Sequence, residues 1–274
     1  LLKKKINKNI KIYGPNSKIW NINSRYPKYF ICLLSLIRFL ITNKKVLVFS
    51  FQANLYATLV SKIFKCNVIT RSNSSSKGWS NNKLKIILFK FFLNLSDKVI
   101  VNSLDFKKEL DYKFKINSTV IYNPLNKSSV LKEGKKETSF KFFNKKVLKL
   151  ITVGRLVDQK DQITILKAIN LIKSNVNFRL LIIGRGYLKK KLDEYIKKEK
   201  LNKFVKIIPF QKNPLKYIKK ADLFLLSSKF EGLPNVLLEA QCLKKFIIST
   251  NCPTGPKEIL MNGTLGDLVS VGNY

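Results

Sequence analysis

Two glutamates, Glu231 and Glu239, stand eight positions apart in a stretch otherwise short of acid, Phe230-Glu231-Gly232-Leu233-Pro234-Asn235-Val236-Leu237-Leu238-Glu239-Ala240. Ionised carboxylates only accept hydrogen bonds, so a pair of them suits a ligand rich in hydroxyl groups. The apolar run Leu223-Phe224-Leu225-Leu226 before them reads as a buried strand, and residues 236–243 read as a helix. Glu231 then falls in the strand-to-helix loop, where Gly232 and Pro234 shape the turn, and Glu239 lies one turn further along the helix. Both carboxylates can face the carboxyl edge of a parallel sheet, where open α/β proteins take their ligands. The unpaired N–H groups and positive dipole at the helix start, near Asn235, suit an anion such as a diphosphate. Carboxylates for hydroxyls beside a phosphate cradle describe a nucleotide-sugar site.

A second cluster lies upstream. The strand Leu150-Ile151-Thr152-Val153 ends at Gly154-Arg155-Leu156, with Lys160 five residues beyond Arg155. Glycine at a strand end permits a sharp turn and close approach of a ligand. Two adjacent cations can neutralise a departing diphosphate. Lysine and arginine abound in this chain, so the pair gains its weight from lying beside the glutamate motif. Gly184-Arg185-Gly186 also joins a strand to a helix, but it lacks the third glycine of a dinucleotide fingerprint and reads first as a tight turn. The turn-rich stretch Asn251-Cys252-Pro253-Thr254-Gly255-Pro256-Lys257-Glu258 follows a strand at 246–249 and is expected to bring Thr254 and Gly255 to the same sheet edge.

Several chemistries are disfavoured. The chain has no histidine, which removes the usual general base and the commonest metal ligand. No D-x-D occurs, and Glu109-Leu110-Asp111 lies outside the expected site, which argues against a dedicated catalytic metal. There is no G-x-x-x-x-G-K-[ST] loop. No cofactor is implied beyond a nucleotide-diphosphate sugar as donor substrate.

The elements that position these residues alternate regularly. Strands are expected at 147–153, 178–183, 205–209, 223–226, 246–249 and 267–271, with helices at 162–173, 187–199, 214–221 and 236–243. Such a pattern predicts an α/β fold with a parallel sheet covered on both faces. The first half reads less cleanly: helices at 29–41, 55–64 and 84–95, strands at 46–51, 67–70, 99–101 and 120–122. Residues 126–146 are polar and lysine-rich and read as an interdomain linker with some irregular structure. The expected division is residues 1–125, a linker at 126–146, and residues 147–274. The window 84–95, LKIILFKFFLNL, is apolar around most of its circumference and is read as a helix packed within the first domain, with a helix lying on a membrane as the alternative.

The chain has 274 residues and a formal net charge of +37. Residues 1–150 carry 31 basic and 6 acidic groups, residues 151–274 carry 22 and 10, and the first acidic residue is Asp97. So positive a surface attracts polyanions, either nucleic acid or anionic lipid headgroups, unless the lysines merely reflect coding bias. The four cysteines, Cys32, Cys66, Cys242 and Cys252, show no C-x-x-C spacing and are expected to be reduced, buried thiols of a cytoplasmic protein, with a Cys242–Cys252 disulfide as the alternative. The apolar run 30–41 contains Arg38 and is too short to span a bilayer. The chain starts at Leu1 without a signal-peptide organisation, and it is expected to be cytoplasmic, peripheral at the inner face of the membrane.

The second half resembles the nucleotide-sugar domain of GT-B glycosyltransferases, specifically the retaining family 4 enzymes. The resemblance is carried by GRLVDQK at 154–160, the E-x7-E motif at 231–239 and CPTGPKEIL at 252–260. FSFQAN, ITRSNSSS, DKVIVNS and VIYNPLN in the first half are similar to that family's acceptor domain, so the likeness covers nearly the whole chain. It implies two Rossmann-like parallel-sheet domains facing a cleft, with the amino-terminal strand and glycine-rich loop and the carboxyl-terminal helical segment outside this sequence. It also implies that Arg155 and Lys160 hold the diphosphate, Glu239 the ribose hydroxyls, and Glu231 the donor sugar, with Gly232, Leu233 and Pro234 offering backbone groups. Many relatives carry a histidine near the reacting sugar; Ser50 or Gln52 occupies that stretch here. The expected activity is metal-independent, retaining sugar transfer to a lipid-linked or envelope polysaccharide acceptor, with an anionic membrane surface as a further partner and no specific nucleic acid. A nucleotide-sugar isomerase of the same fold and a basic nucleic-acid-binding protein stay open as alternatives.

Overall fold

The computed structural model describes residue 10 and residues 26–51, 54–73, 75–76, 83–138, 140–143 and 146–274. Gln52 and parts of the FSFQAN and ITRSNSSS stretches lie outside the described residues. The chain forms two compact units: Leu1–Ser72, Asn81–Ile100 and Phe114–Thr119 make the first; Asn73–Ser80, Val101–Lys113 and Val120–Tyr274 make the second.

The first unit is built on a four-stranded sheet in the order β1 (Leu47–Ser50), β2 (Asn67–Ser72), β3 (Lys98–Val101), β4 (Ser118–Val120), with β1 and β2 parallel. Helices α1 (Tyr26–Thr42), α2 (Asn54–Ile63) and α3 (Lys83–Asn94) accompany it. Leu40, Val60 and Cys66 form a small buried core with half-buried Leu36, Ile37 and Val48 around them. Asp97 ties α2 to β2: it pairs with Lys62 at 2.8 Å and accepts the Val68 N–H at 2.6 Å. The Lys62 hydrogen bond, ahead of that backbone N–H, holds the Asp97 carboxyl below the usual carboxylate range.

The second unit holds a six-stranded sheet in the order β10-β9-β8-β5-β6-β7. Its strands are β5 (Leu148–Val153), β6 (Phe178–Ile183), β7 (Val205–Ile208), β8 (Leu223–Leu226), β9 (Phe246–Thr250) and β10 (Asp267–Val269), and every described pairing is parallel. The near-continuous apolar strands are explained by burial on both faces. On one face Leu180 and Ile182 of β6 pack with Leu166 and Ile169 of α6 (Gln162–Ile172) and Leu192 of α7 (Lys189–Lys198). On the other, Leu181 and Ile183 share a core with Ile218 of α8 (Leu215–Lys220) and Leu237 and Ala240 of α9 (Asn235–Cys242).

Within residues 126–146, read as a linker with some irregular structure, lie helix α5 (Lys127–Gly134) and a short 3-10 turn, Lys141–Phe143. Asn126 caps α5 by accepting the Ser129 N–H at 2.8 Å. Val130 is buried in the same core as α8 and α9, and Phe140 meets Tyr217 edge-to-face at 5.5 Å. The helix escapes a periodicity reading because its apolar residues are few. A second unannounced element, α4 (Leu104–Lys108), runs into a π-helical turn at Glu109–Lys113. A short helix, α10 (Pro256–Ile259), follows β9.

The window 84–95, read as a packed helix, packs on α2 but along one side only. Leu93 is buried, but Leu84, Ile87, Leu88 and Phe91 are 70%, 61%, 51% and 55% exposed. The all-round apolar composition covers only one inward row. The cysteines also correct their expectation in part: all four are free thiols, but Cys32 is exposed and Cys242 half-buried.

Candidate functional site

The strand order of the second sheet reverses beside β5, which has β6 and β7 on one side and β8, β9 and β10 on the other. Open α/β sheets take ligands outside the carboxyl ends of the strands at such a reversal. Here β5 pairs with β8, Leu150 with Leu223 and Ile151 with Phe224. The loop after β5 carries Gly154, Arg155 and Lys160; the loop after β8 carries Glu231 and Gly232. The two motifs that the sequence placed separately therefore leave adjacent strands at the same edge.

The two loops are stitched together. Gln159 donates its side-chain amide to the Phe230 carbonyl at 2.9 Å, its own carbonyl accepts the Lys229 N–H at 2.8 Å, and Ser227 Oγ donates to the Lys160 carbonyl at 2.8 Å. At the centre Lys160 Nζ meets Glu231 Oε1 at 2.5 Å, with side chains 15% and 8% exposed. A pair this buried is expensive to form, because two charges lose water, and more expensive to break from one side. Cys252 lies close enough to feel it: burial first, then the Glu231 charge, pushes its thiol up to about 12.

The Glu231 backbone is fixed on both sides. Its N–H donates to the Pro253 carbonyl at 3.1 Å, and its carbonyl accepts the Ser75 N–H at 2.9 Å and Thr254 Oγ1–H at 2.6 Å. Thr254 is buried with φ of +61°, an outlier for a β-branched residue, and Gly255 follows at +91°. Backbone strain of this kind costs on the order of 1–3 kcal/mol and collects at functional sites. Gly255 also sits where a Cβ would come within 2.2 Å of the Gly232 carbonyl.

The other expected residues are found in different states. Gly232, Leu233 and Pro234 are buried, leading into α9. Asn235 is exposed at the start of α9, and its Oδ1 accepts the Asn123 amide at 2.7 Å. Arg155 is exposed, its guanidinium donating to Gln159 Oε1 at 2.9 Å rather than to either glutamate. Gly184 is an internal support: a Cβ there would lie 1.9 Å from the Gly154 carbonyl. Glu239 is half-buried on α9, and burial pushes its carboxyl up from the ordinary glutamate value. A raised pKa in the folded chain means the ionised form costs stability. Stability therefore falls as pH rises from the ordinary glutamate value through the raised one, and Glu239→Gln is expected to flatten that fall in melting curves taken across pH.

Sequence reading missed Gln159, which bridges the two loops from inside the GRLVDQK motif, and Glu258. Glu258 accepts the Leu104 N–H at 2.9 Å, the Asp105 N–H at 3.3 Å and Tyr122 Oη–H at 2.6 Å, so it caps α4 rather than opening toward a ligand. That hydrogen bond pushes the Tyr122 hydroxyl up to about 12. Tyr122→Phe should cost about 1 kcal/mol in urea denaturation. Among the described residues no group of three or more Cys, Asp or Glu side chains is placed to hold a metal ion.

The fold is that of the GT-B glycosyltransferases. An Anabaena protein, HepE, solved in complex with UDP, superposes with a TM-score of 0.71 at 16% identity, covering 92% of this chain and 71% of that one. Residues 134–274 match the family of glycosyl transferases group 1, and the chain belongs to that family of transferase enzymes. An uncharacterized glycosyltransferase of Methanocaldococcus jannaschii is 35% identical over 74% of this chain and 53% of its own length. A Campylobacter jejuni enzyme that transfers N-acetylgalactosamine to a diphospho-undecaprenol-linked glycan is 27% identical over 80% of this chain and 60% of its own. The chain thus spans between half and two thirds of the length of these relatives.

Proposed function

We propose that this chain carries the donor site of a retaining, metal-independent glycosyltransferase of family 4 type. It takes a nucleotide-diphosphate sugar and passes the sugar to a lipid-linked or envelope polysaccharide glycan at the inner face of the cytoplasmic membrane. The observation that carries this reading is the Lys160–Glu231 pair, formed between the two loops at the strand-order reversal. A cation for pyrophosphate and a carboxylate for sugar hydroxyls are thereby held at one point.

In this reading Lys160 and Arg155 bind the diphosphate, Glu239 accepts the ribose hydroxyls, and Glu231 lies against the donor sugar. Gly154, Gly232, Leu233, Pro234 and Asn235 form the walls, with Thr254 and Gly255 fixing Glu231 from behind. As transfer proceeds, the anomeric C–O bond breaks and its electron pair goes to the diphosphate oxygen. The acceptor oxygen forms the new glycosidic bond on the same face, and its proton passes to the departing diphosphate. Preorganised cations and the start of α9 stabilise the charge that develops there, so no titrating imidazole is required. Entry of the diphosphate draws Lys160 part of the way off Glu231, which frees that carboxylate for the sugar.

The relatives' acceptors and the basic first half motivate the membrane side of the proposal. The test is a product assay with a panel of nucleotide sugars and lipid-linked glycans. Nucleoside diphosphate released only when acceptor is present, with the product's anomeric configuration matching the donor, is the expected outcome. Release without acceptor, or an isomerised sugar as product, would refute it.

A further inference from the structure

The outward face of α3 carries a row of exposed apolar side chains. Leu84, Ile87, Leu88 and Phe91 recur at spacings of three and four and fall within an arc of about 100°, with Leu95 just past the helix end. All five are exposed, Ile87 at 61% and Phe91 at 55%. Lys85 and Lys90, also exposed, flank the row about 100° to either side. Helix α2, which packs on α3, exposes Leu59 at 43% and Ile63 at 67%. The first 96 residues contain 18 basic and no acidic residues.

We infer that the outward face of α3 is a membrane-docking surface, its apolar row entering the headgroup–acyl boundary of an anionic bilayer with Lys85 and Lys90 on the phosphates. An apolar row bordered by lysines is the arrangement of a helix lying in an interface plane. The sign of the charge selects the occupant: a segment without one carboxylate is matched to anionic lipid, and the apolar row gives that lipid something to hold that phosphate alone would not use. The inference names the surface that brings the enzyme to its acceptor, and it rests on the membrane-side acceptor proposed above.

The experiment is co-sedimentation with vesicles of phosphatidylglycerol and phosphatidylcholine, alongside titration with soluble nucleoside diphosphate. The variants are Ile87→Gln/Leu88→Gln/Phe91→Gln and, separately, Lys85→Gln/Lys90→Gln. Glutamine keeps helix propensity at exposed positions, so melting temperatures should not fall. The triple variant is expected to lose vesicle binding at least tenfold, and the lysine variant to lose its salt dependence in part. Nucleoside diphosphate affinity should be unchanged in both. Vesicle binding equal to the unsubstituted chain would overturn the α3 surface while leaving the transferase reading intact. Self-association abolished by the triple variant, without vesicle binding, would assign the row to a second copy and overturn it too. Loss of nucleoside diphosphate binding by the unsubstituted chain would instead defeat the transferase reading.

Discussion

Lys160→Met alone is expected to abolish sugar transfer and to destabilise the chain by about 3–5 kcal/mol, because it leaves the Glu231 carboxylate buried without its counter-ion. The 8% exposure of the Glu231 side chain leaves little solvent to replace the lost partner. Glu231→Gln strands the lysine in the same way, though Lys160 can turn outward more readily at 15% exposure. The double variant Lys160→Met/Glu231→Gln should recover most of the stability and none of the activity. Denaturation of all four chains closes the cycle and isolates the pair. A Lys160→Met chain that unfolds at the same urea concentration as the unsubstituted one would show that the two side chains do not depend on each other. The separation of stability from turnover matters, since the single substitutions confound them.

The second large effect is steric. Gly184→Ala should cost more than about 3 kcal/mol, because its Cβ would lie 1.9 Å from the Gly154 carbonyl and neither strand end can retreat. The Gly154 N–H is bonded to Ile183 O at 3.0 Å and the Gly184 N–H to Ile208 O at 3.1 Å. Gly154→Ala offers the matched control. The nearest atoms to its Cβ would be those of the Lys160 side chain, at 3.6 Å, an ordinary contact. That variant should fold normally and lose donor affinity, whereas Gly184→Ala should fail to accumulate as folded protein or melt far lower. Equal stability of the two would contradict the close backbone approach at the end of β5 and β6.

Most of the second unit was legible because its strands are buried on both faces. Runs such as Phe178–Ile183 and Leu223–Leu226 read as strands with little competition, and their boundaries match the structure. The loops of the candidate site were legible for a related reason: Gly154 and Gly232 mark strand-end turns, and few carboxylates compete with Glu231 and Glu239 for attention. What the sequence withheld was pairing. Nothing in the spacing says that Lys160 closes on Glu231, that Gln159 joins the two loops, or that Glu258 caps α4 from 154 residues away. These are long-range contacts fixed by sheet order rather than by local pattern. Helix α5 was hidden because its stability comes from Val130 and Gly134 packing on α8 and α9, with too few apolar residues to show a period. Helix α3 misled in the opposite direction. Apolar residues all round a helix usually signal burial, yet here only the row containing Leu93 faces inward.

Titration calorimetry with a nucleoside diphosphate, the matching nucleoside and inorganic pyrophosphate tests the donor site most directly. The account predicts binding of the diphosphate by the unsubstituted chain, weakened at least tenfold in both Glu239→Ala and Lys160→Met/Glu231→Gln. The nucleoside should be sensitive chiefly to the first change and pyrophosphate to the second. Undiminished binding in both variants, or no binding of any nucleoside diphosphate by the folded chain, would contradict it.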